Sequence, residues 1–292
     1  MIRKPYVAGR FYEGQREALI KEIESCFLSK IGPGKLPKIH SEESKMKIKG
    51  GVCPHAGYAY SGHEAAHFYL ELFNGPLPDV IIILGPSHRA YSNFKIAVSL
   101  DDSFETPLGI CPVDIELARK ITSEKPFGID NNAHRMEHSL EVQVPFLQYI
   151  YEKAGASDKL KIVPLCVIDQ DYETALTAAC GLFEILKNET GNIAVIASSD
   201  FSHYIPAAEA KKRDFYAINE ILKLDSESMY KQIIEHDISM CGYGPIAIMI
   251  ETLKKLNGAD KIKSELLKYG SSGDVTPMSE VVGYAAIGFY AV

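Results

Sequence analysis

Histidine, cysteine and carboxylate side chains carry most protein metal and proton-transfer chemistry, and here several of them recur in matching contexts. Three apolar runs each end in a short turn bearing a His. They are Val52-Cys53-Pro54-His55-Ala56-Gly57, Ile83-Leu84-Gly85-Pro86-Ser87-His88, and Ile196-Ala197-Ser198-Ser199-Asp200-Phe201-Ser202-His203. Gly and Pro beside such a His let the chain leave a strand sharply and hold the ring in place. A fourth cluster runs from His134 to Glu141. On a helix His134 and His138 would share a face, as would Glu137 and Glu141. Its order differs from H-E-x-x-H, and it reads equally as a helix start with acidic residues in the first turn. The fifth feature is Ser239-Met240-Cys241-Gly242-Tyr243-Gly244-Pro245. It sets a thiol in a Gly-rich turn before an expected helix, where a thiolate is favoured; a buried, inert Cys is the other reading.

These residues need elements to position them. Apolar runs predict strands over Ile48–Cys53, Val80–Leu84, Phe94–Leu100, Lys161–Ile168, Ile193–Ala197 and Val281–Val292. Val80 to Leu84 are apolar at every position, as in a strand buried on both faces. In the closing segment, Gly283 and Gly288 are expected as bulges. Between the strands, apolar residues fall three or four apart over 171–187, at Leu19, Ile23 and Phe27, and at Phe215, Ile218 and Leu222. That is helical spacing. A further helix is expected from Pro245, with Ile246, Ile250 and Leu253 as its buried stripe. The polar stretch Ser29–Lys49 reads as a surface loop. Strand–helix alternation predicts an α/β fold, a single domain over residues 1–292, built as a three-layer sandwich with a mostly parallel central sheet flanked by helices. Ligands of open α/β sheets sit beyond the carboxyl ends of the strands. If the three strands are parallel neighbours, His55, His88 and His203 converge there.

Composition narrows the function classes. Among 292 residues, 31 basic against 38 acidic side chains leave a net charge of −7, which argues against nucleic acid as a partner. The six Cys, at 26, 53, 111, 166, 180 and 241, form no C-x-x-C pair, so zinc-ribbon and thioredoxin-type sites are excluded. No apolar run approaches the 18 residues of a membrane span, and the N-terminus lacks the apolar core of a signal peptide. A cytoplasmic protein with reduced thiols and no membrane partner is expected. G-x-S-x-G, P-loop and Rossmann fingerprints are absent.

Six segments in order, R-K-P-Y-V-A-G-R-F-Y from Arg3, C-P-H-A-G-Y-A-Y-S-G from Cys53, I-L-G-P-S-H from Ile83, E-H-S-L-E-V-Q-V-P-F from Glu137, S-S-D-F-S-H-Y from Ser198 and C-G-Y-G-P from Cys241, make the chain resemble the Memo family over nearly its whole length. That family is similar in fold to the class III extradiol (LigB-type) ring-cleaving dioxygenases, which are non-haem iron enzymes. The resemblance implies that His55, His88 and Cys241 bind one transition metal, iron first, with copper or zinc as alternatives. It also implies that Asp200 and His203 stand beside the metal. In that setting His203 is expected as general acid/base, with Asp200 orienting it or accepting a second hydrogen bond, and Tyr58, His138 and Glu141 are expected to line the pocket or support the ligands. Cys241 departs from the two-His, one-carboxylate triad of such iron enzymes. The expected function is a metal-dependent redox protein acting on a small substrate in a dioxygenase-like cleft. A non-catalytic protein holding a small-molecule or peptide ligand in the same cleft is the alternative, and metal-assisted hydrolysis is a weaker one.

Overall fold

The computed structural model describes residues 1–38, 48–89 and 91–292. Residues 39–47 of the expected Ser29–Lys49 loop, with His40, lie outside them. Twelve strands occur among the described residues: β1 (Ile2–Arg3), β2 (Ile48–Cys53), β3 (Val80–Pro86), β4 (Ile96–Val98), β5 (Ser103–Thr106), β6 (Gly109–Pro112), β7 (Phe127–Ile129), β8 (Ile162–Val167), β9 (Ile193–Ser198), β10 (His203–Ile205), β11 (Ile262–Ser271) and β12 (Val281–Ala291). Nine of them form the large sheet, in the order β10-β12-β2-β9-β3-β8-β4-β7, with β11 also paired to β12. A separate three-stranded sheet has the order β1-β5-β6.

The centre of the large sheet is parallel: β2 pairs with β9, β9 with β3, and β3 with β8. Toward the edges it turns antiparallel, at β8–β4 on one side and at β2–β12 and β12–β11 on the other. Every residue of β8, and all but the first of β3 and β9, is buried, as strands covered on both faces require. The two faces can be read at Gly50 and Gly51, since successive strand residues point to opposite sides. A Cβ on Gly50 would meet Leu253 and Met249 at 3.0 Å, and one on Gly51 would meet the Phe68 ring at 2.0 Å. Helix Tyr243–Asn257 therefore covers one face and helix Tyr58–Asn74 the other. Helix Tyr172–Leu186 packs beside the first, and helices Arg16–Leu28 and Gln143–Lys153 beside the second. The result is an α/β fold with a large central sheet between two helical layers.

Several elements differ from the sequence reading. The strand expected over Phe94–Leu100 is only Ile96–Val98, and the helix expected from Pro245 begins at Tyr243. β11 was not anticipated, because Lys263, Glu265 and Lys268 leave it half exposed and without an apolar run. The bulges on β12's pairings fall between Phe289 and Tyr290, and opposite Leu266/Lys268 and His203/Ile205, not at Gly283 or Gly288. Gly283 is instead a close approach, where a Cβ would lie 2.1 Å from Asp214 Oδ2.

Helix Tyr58–Asn74 also buries a carboxyl. Glu64 is 0 % exposed, and neither of its oxygens has a hydrogen-bond partner. Burial pushes its pKa up to about 8, so the folded chain holds a proton there that the unfolded chain has released. The sign follows: this proton's contribution to stability is complete below the unfolded pKa of about 4.3 and is lost as pH rises through about 8. Glu64→Gln should remove that loss. Its melting temperature relative to wild type should be several degrees higher at pH 8.5 than at pH 5, by calorimetry. An equal difference at both pH values would contradict the buried neutral acid.

Candidate metal centre

Because β2, β9 and β3 are parallel neighbours, their carboxyl ends lie side by side. The turns leaving them carry His55, Asp200 with His203, and His88 into one cavity of about 600 Å³. This is the convergence expected of the three strand ends. Cys241 arrives from a distant part of the chain, on the turn before helix Tyr243–Asn257. Gln170 and Ser199 hold that turn. The Gln170 amide nitrogen donates to the Cys241 carbonyl (2.9 Å), its oxygen accepts from Gly244 N–H (2.9 Å), and Gly242 N–H donates to Ser199 Oγ (3.0 Å). Only Gly fits at 242, where a Cβ would stand 2.4 Å from the Ser198 carbonyl oxygen.

His55, His88 and Cys241 each offer one ligand atom, and all three atoms lie within 4.8 Å of one another. His55 Nε2 is 3.2 Å from Cys241 Sγ. A metal bonded at about 2.0–2.3 Å to nitrogen and sulfur holds such atoms some 3–4 Å apart, so the donors fit one ion with modest adjustment. The tautomers agree. Ser198 Oγ donates its single proton to the Ser139 carbonyl (2.7 Å), so it must accept from the Gln143 amide nitrogen (2.8 Å) and from His55 Nδ1 (2.9 Å). The proton of His55 is then on Nδ1, and the Nε2 lone pair points toward Cys241. His88 Nδ1 lies 3.0 Å from Glu137 Oε1 and donates to it, leaving its Nε2 free as well. Such partners behind a histidine fix its tautomer and direction for metal binding.

Charge in the site follows burial. Desolvation, with the neighbouring imidazoles adding to it, holds His55 well below its ordinary pKa, so the ring is neutral. Desolvation likewise lowers His138 to about 4. Burial opposes the charge of Glu137, but hydrogen bonds from the His88 ring and N–H outweigh it and bring its pKa to about 2. Asp200 is raised to about 6 by burial, with bonds from the backbone at 55 and 56 acting the other way. The expectation of a thiolate at the helix N-terminus is corrected for the free protein. Burial and then Asp200 push the Cys241 thiol up, although Asp200 N–H donates to its sulfur at 3.2 Å. A bound cation would reverse that balance, since a coordinating thiol loses its proton.

The remaining expected residues divide. His203 lines the cavity; its N–H donates to Ser239 Oγ (2.7 Å) and its Nδ1 to the Ser239 carbonyl (2.8 Å). In the neutral ring Nε2 is then the basic atom. Asp200 does not orient His203; its Oδ1 accepts the N–H of His55 at 2.8 Å. His138 lines the cavity, its ring 4.5 Å from that of His88 and 4.8 Å from Phe11. Tyr58 does not line it: its hydroxyl donates to the Val142 carbonyl at 2.6 Å, beneath the helix. Glu141 also faces away, accepting from Arg3, the N–H groups of Tyr6 and Val7, and the Tyr12 hydroxyl. The 134–141 cluster is not one helix, since helix Asn131–Arg135 ends inside it, before His138. His134 is consequently buried against the Ala97 carbonyl instead of sharing a face with His138. Sequence reasoning missed Glu137 as the partner of His88, along with Ser198, Tyr60 and Arg10. A Glu directly before a His carries no spacing signal for that role.

A model described as Memo-like protein matches residues 3–288. MEMO1 family proteins of Sulfurisphaera tokodaii and Methanopyrus kandleri are each 40% identical to the chain, and one of Desulfurococcus amylolyticus is 42% identical; the matches cover 99% of both chains in every case. Among solved structures, an uncharacterized protein of Escherichia coli K12 shares the fold with a TM-score of 0.54 at 14% identity, over 82% of this chain and 99% of its own.

Nitrogen-15 NMR at neutral pH should place the protons of His55 and His88 on Nδ1. Ser198→Ala should abolish that preference for His55 and leave His88 unchanged. An Nε2-protonated His55 in the wild type would refute the hydrogen-bond assignment.

Proposed function

The chain belongs to the Memo-like family, and on that premise we propose that it is a metal-dependent redox protein. In this reading His55, His88 and Cys241 hold one transition metal at the base of a cavity that admits a small substrate. The observation that supports it is the convergence of two oriented imidazole lone pairs and a thiol within 4.8 Å, each imidazole fixed from behind by Ser198 or Glu137. Iron is proposed first, because two His and one anionic donor leave positions open for O₂ and substrate; copper and zinc also suit a thiolate. When bound, the metal would supply Lewis acidity and, as iron or copper, electron transfer.

The chain's own residues would do the rest. Asp200 fixes the turn carrying His55 through its backbone N–H. His203, with Nδ1 held by Ser239, presents Nε2 to accept or return a substrate proton. His138 and Phe11 pack together as one wall of the cavity. The thiol stands where a carboxylate would complete the facial triad, so redox chemistry is assigned here and ring cleavage is not.

A binding protein without turnover is the second reading. It is favoured by the aromatic mouth of the cavity, where Tyr60 and Tyr204 are 44% and 73% exposed, surfaces suited to a peptide or other ligand.

Two measurements decide. Protein purified without oxygen should carry about one equivalent of iron or copper. His55→Ala, His88→Ala and Cys241→Ala should each reduce affinity by at least tenfold, while His236→Ala, which removes a ring stacked on Tyr216, should not. Unchanged metal content in all three ligand variants would exclude the site. Oxygen uptake by the iron-loaded protein with a panel of phenols and catechols then separates enzyme from binder; no uptake with any of them would favour the second reading.

A further inference from the structure

We propose that the cavity selects an organic anion and that Arg10 is the specificity-determining residue that pairs with its carboxylate. This rests on the reading of the cavity as the substrate site. Arg10 is the single Lys or Arg among the lining residues. Its guanidinium lies 4.9 Å over the Tyr6 ring, and one nitrogen donates to the Tyr6 carbonyl. Among the described residues it pairs with no carboxylate. A guanidinium has five N–H donors in a planar fork, so most of them stay available to a ligand.

The loop that carries Arg10 is built rigidly. Glu141 accepts the N–H groups of Tyr6 and Val7 and the Tyr12 hydroxyl. Arg10 N–H closes a turn onto the Val7 carbonyl at 3.0 Å, with Gly9 at φ +76°. Phe11 then packs on His138, and its carbonyl accepts from Tyr58 N–H at 2.6 Å. The backbone at Arg10 is thus fixed, and its side chain lines the same cavity as His55 and His88.

The rest of the cavity supports the same substrate class. Phe11, Tyr60, Val282 and Tyr284 give it apolar walls, which suit an apolar body. Asp200 is the one carboxylate on the lining, and its Oδ1 is engaged by the His55 N–H. On a chain of net charge −7, one unpaired cation in a cleft is where an anion is drawn in. A planar fork matched to two carboxylate oxygens also fixes the anion's orientation.

The test titrates benzoate, benzamide and inorganic phosphate separately into the full-length chain by calorimetry. Wild type should bind benzoate about tenfold more tightly than benzamide, with phosphate weaker than benzoate. Arg10→Gln should erase the benzoate preference while leaving benzamide affinity unchanged, and Arg10→Lys should keep part of it. Equal benzoate affinity in wild type and Arg10→Gln overturns the proposal, as does a wild type without preference for benzoate. Phosphate binding as tightly as benzoate overturns the organic anion. Metal content measured on the same samples separates this inference from the reading beneath it. An Arg10-dependent preference in protein that carries no metal keeps the anion site and removes the metal centre; metal without the preference does the reverse.

Discussion

Ser198 Oγ has one proton and three polar neighbours, and that imbalance decides how His55 meets the cavity. The proton goes to the Ser139 carbonyl, so the imidazole and the Gln143 amide must both donate to the oxygen. Gln143 is fixed in turn by a second bond to the Pro54 carbonyl and by the Tyr69 hydroxyl, which donates to its side-chain oxygen at 2.6 Å. All of these groups are buried, and a buried polar network that is fully satisfied specifies one arrangement. Loss of any member would leave a partner unpaired, at a cost of about 1–3 kcal/mol. Glu137 acts similarly on His88, with the difference that its anchor is charged and gathers three donors: the His88 ring, the His88 N–H and the Ser139 N–H. Residue 139 thus touches both supports, with its carbonyl on one and its amide on the other.

Glu141 plays the matching part for the N-terminal segment. Its buried carboxylate meets Arg3, which also donates to the carbonyls of His134 and Glu137. A buried ion pair of this kind adds little net stability when intact, but removing one partner is costly, about 3–5 kcal/mol. Its consequence is positional. Residues 3–12 and 134–141 are joined into one unit, and the irregular segment bearing Glu137 and His138 is held beside the loop bearing Arg10 and Phe11.

Much of this was legible in the residues. Runs such as Val80 to Leu84 identify strands buried on both faces, and a His two to five residues beyond each strand end marks the carboxyl edge of the sheet. Parallel adjacency of β2, β9 and β3 turned that pattern into a site. Cys241 was singled out because Gly residues flank it, and close contact of Gly242 with Ser198 explains why they do. What stayed hidden has physical reasons. Ser198, Gln143 and Glu137 reach the turns bearing His55 and His88 by hydrogen bonds across more than 45 residues of sequence, and such contacts leave no periodicity. Glu141 points away because the chain over 136–142 is irregular where a helical period predicts a shared face, and Tyr58, at the start of its helix, spends its hydroxyl on the Val142 carbonyl. β11 was missed since a half-exposed strand with Lys and Glu lacks an apolar run.

Cys241 reaches His55 across 186 residues of chain, and the turn that carries it lies against the Ser198 carbonyl. The three donors therefore come together only once the last fifth of the polypeptide has been made and has docked. During synthesis, a partly formed chain can present His55 and His88 but not the thiol, so the three-donor cluster exists only in the finished fold.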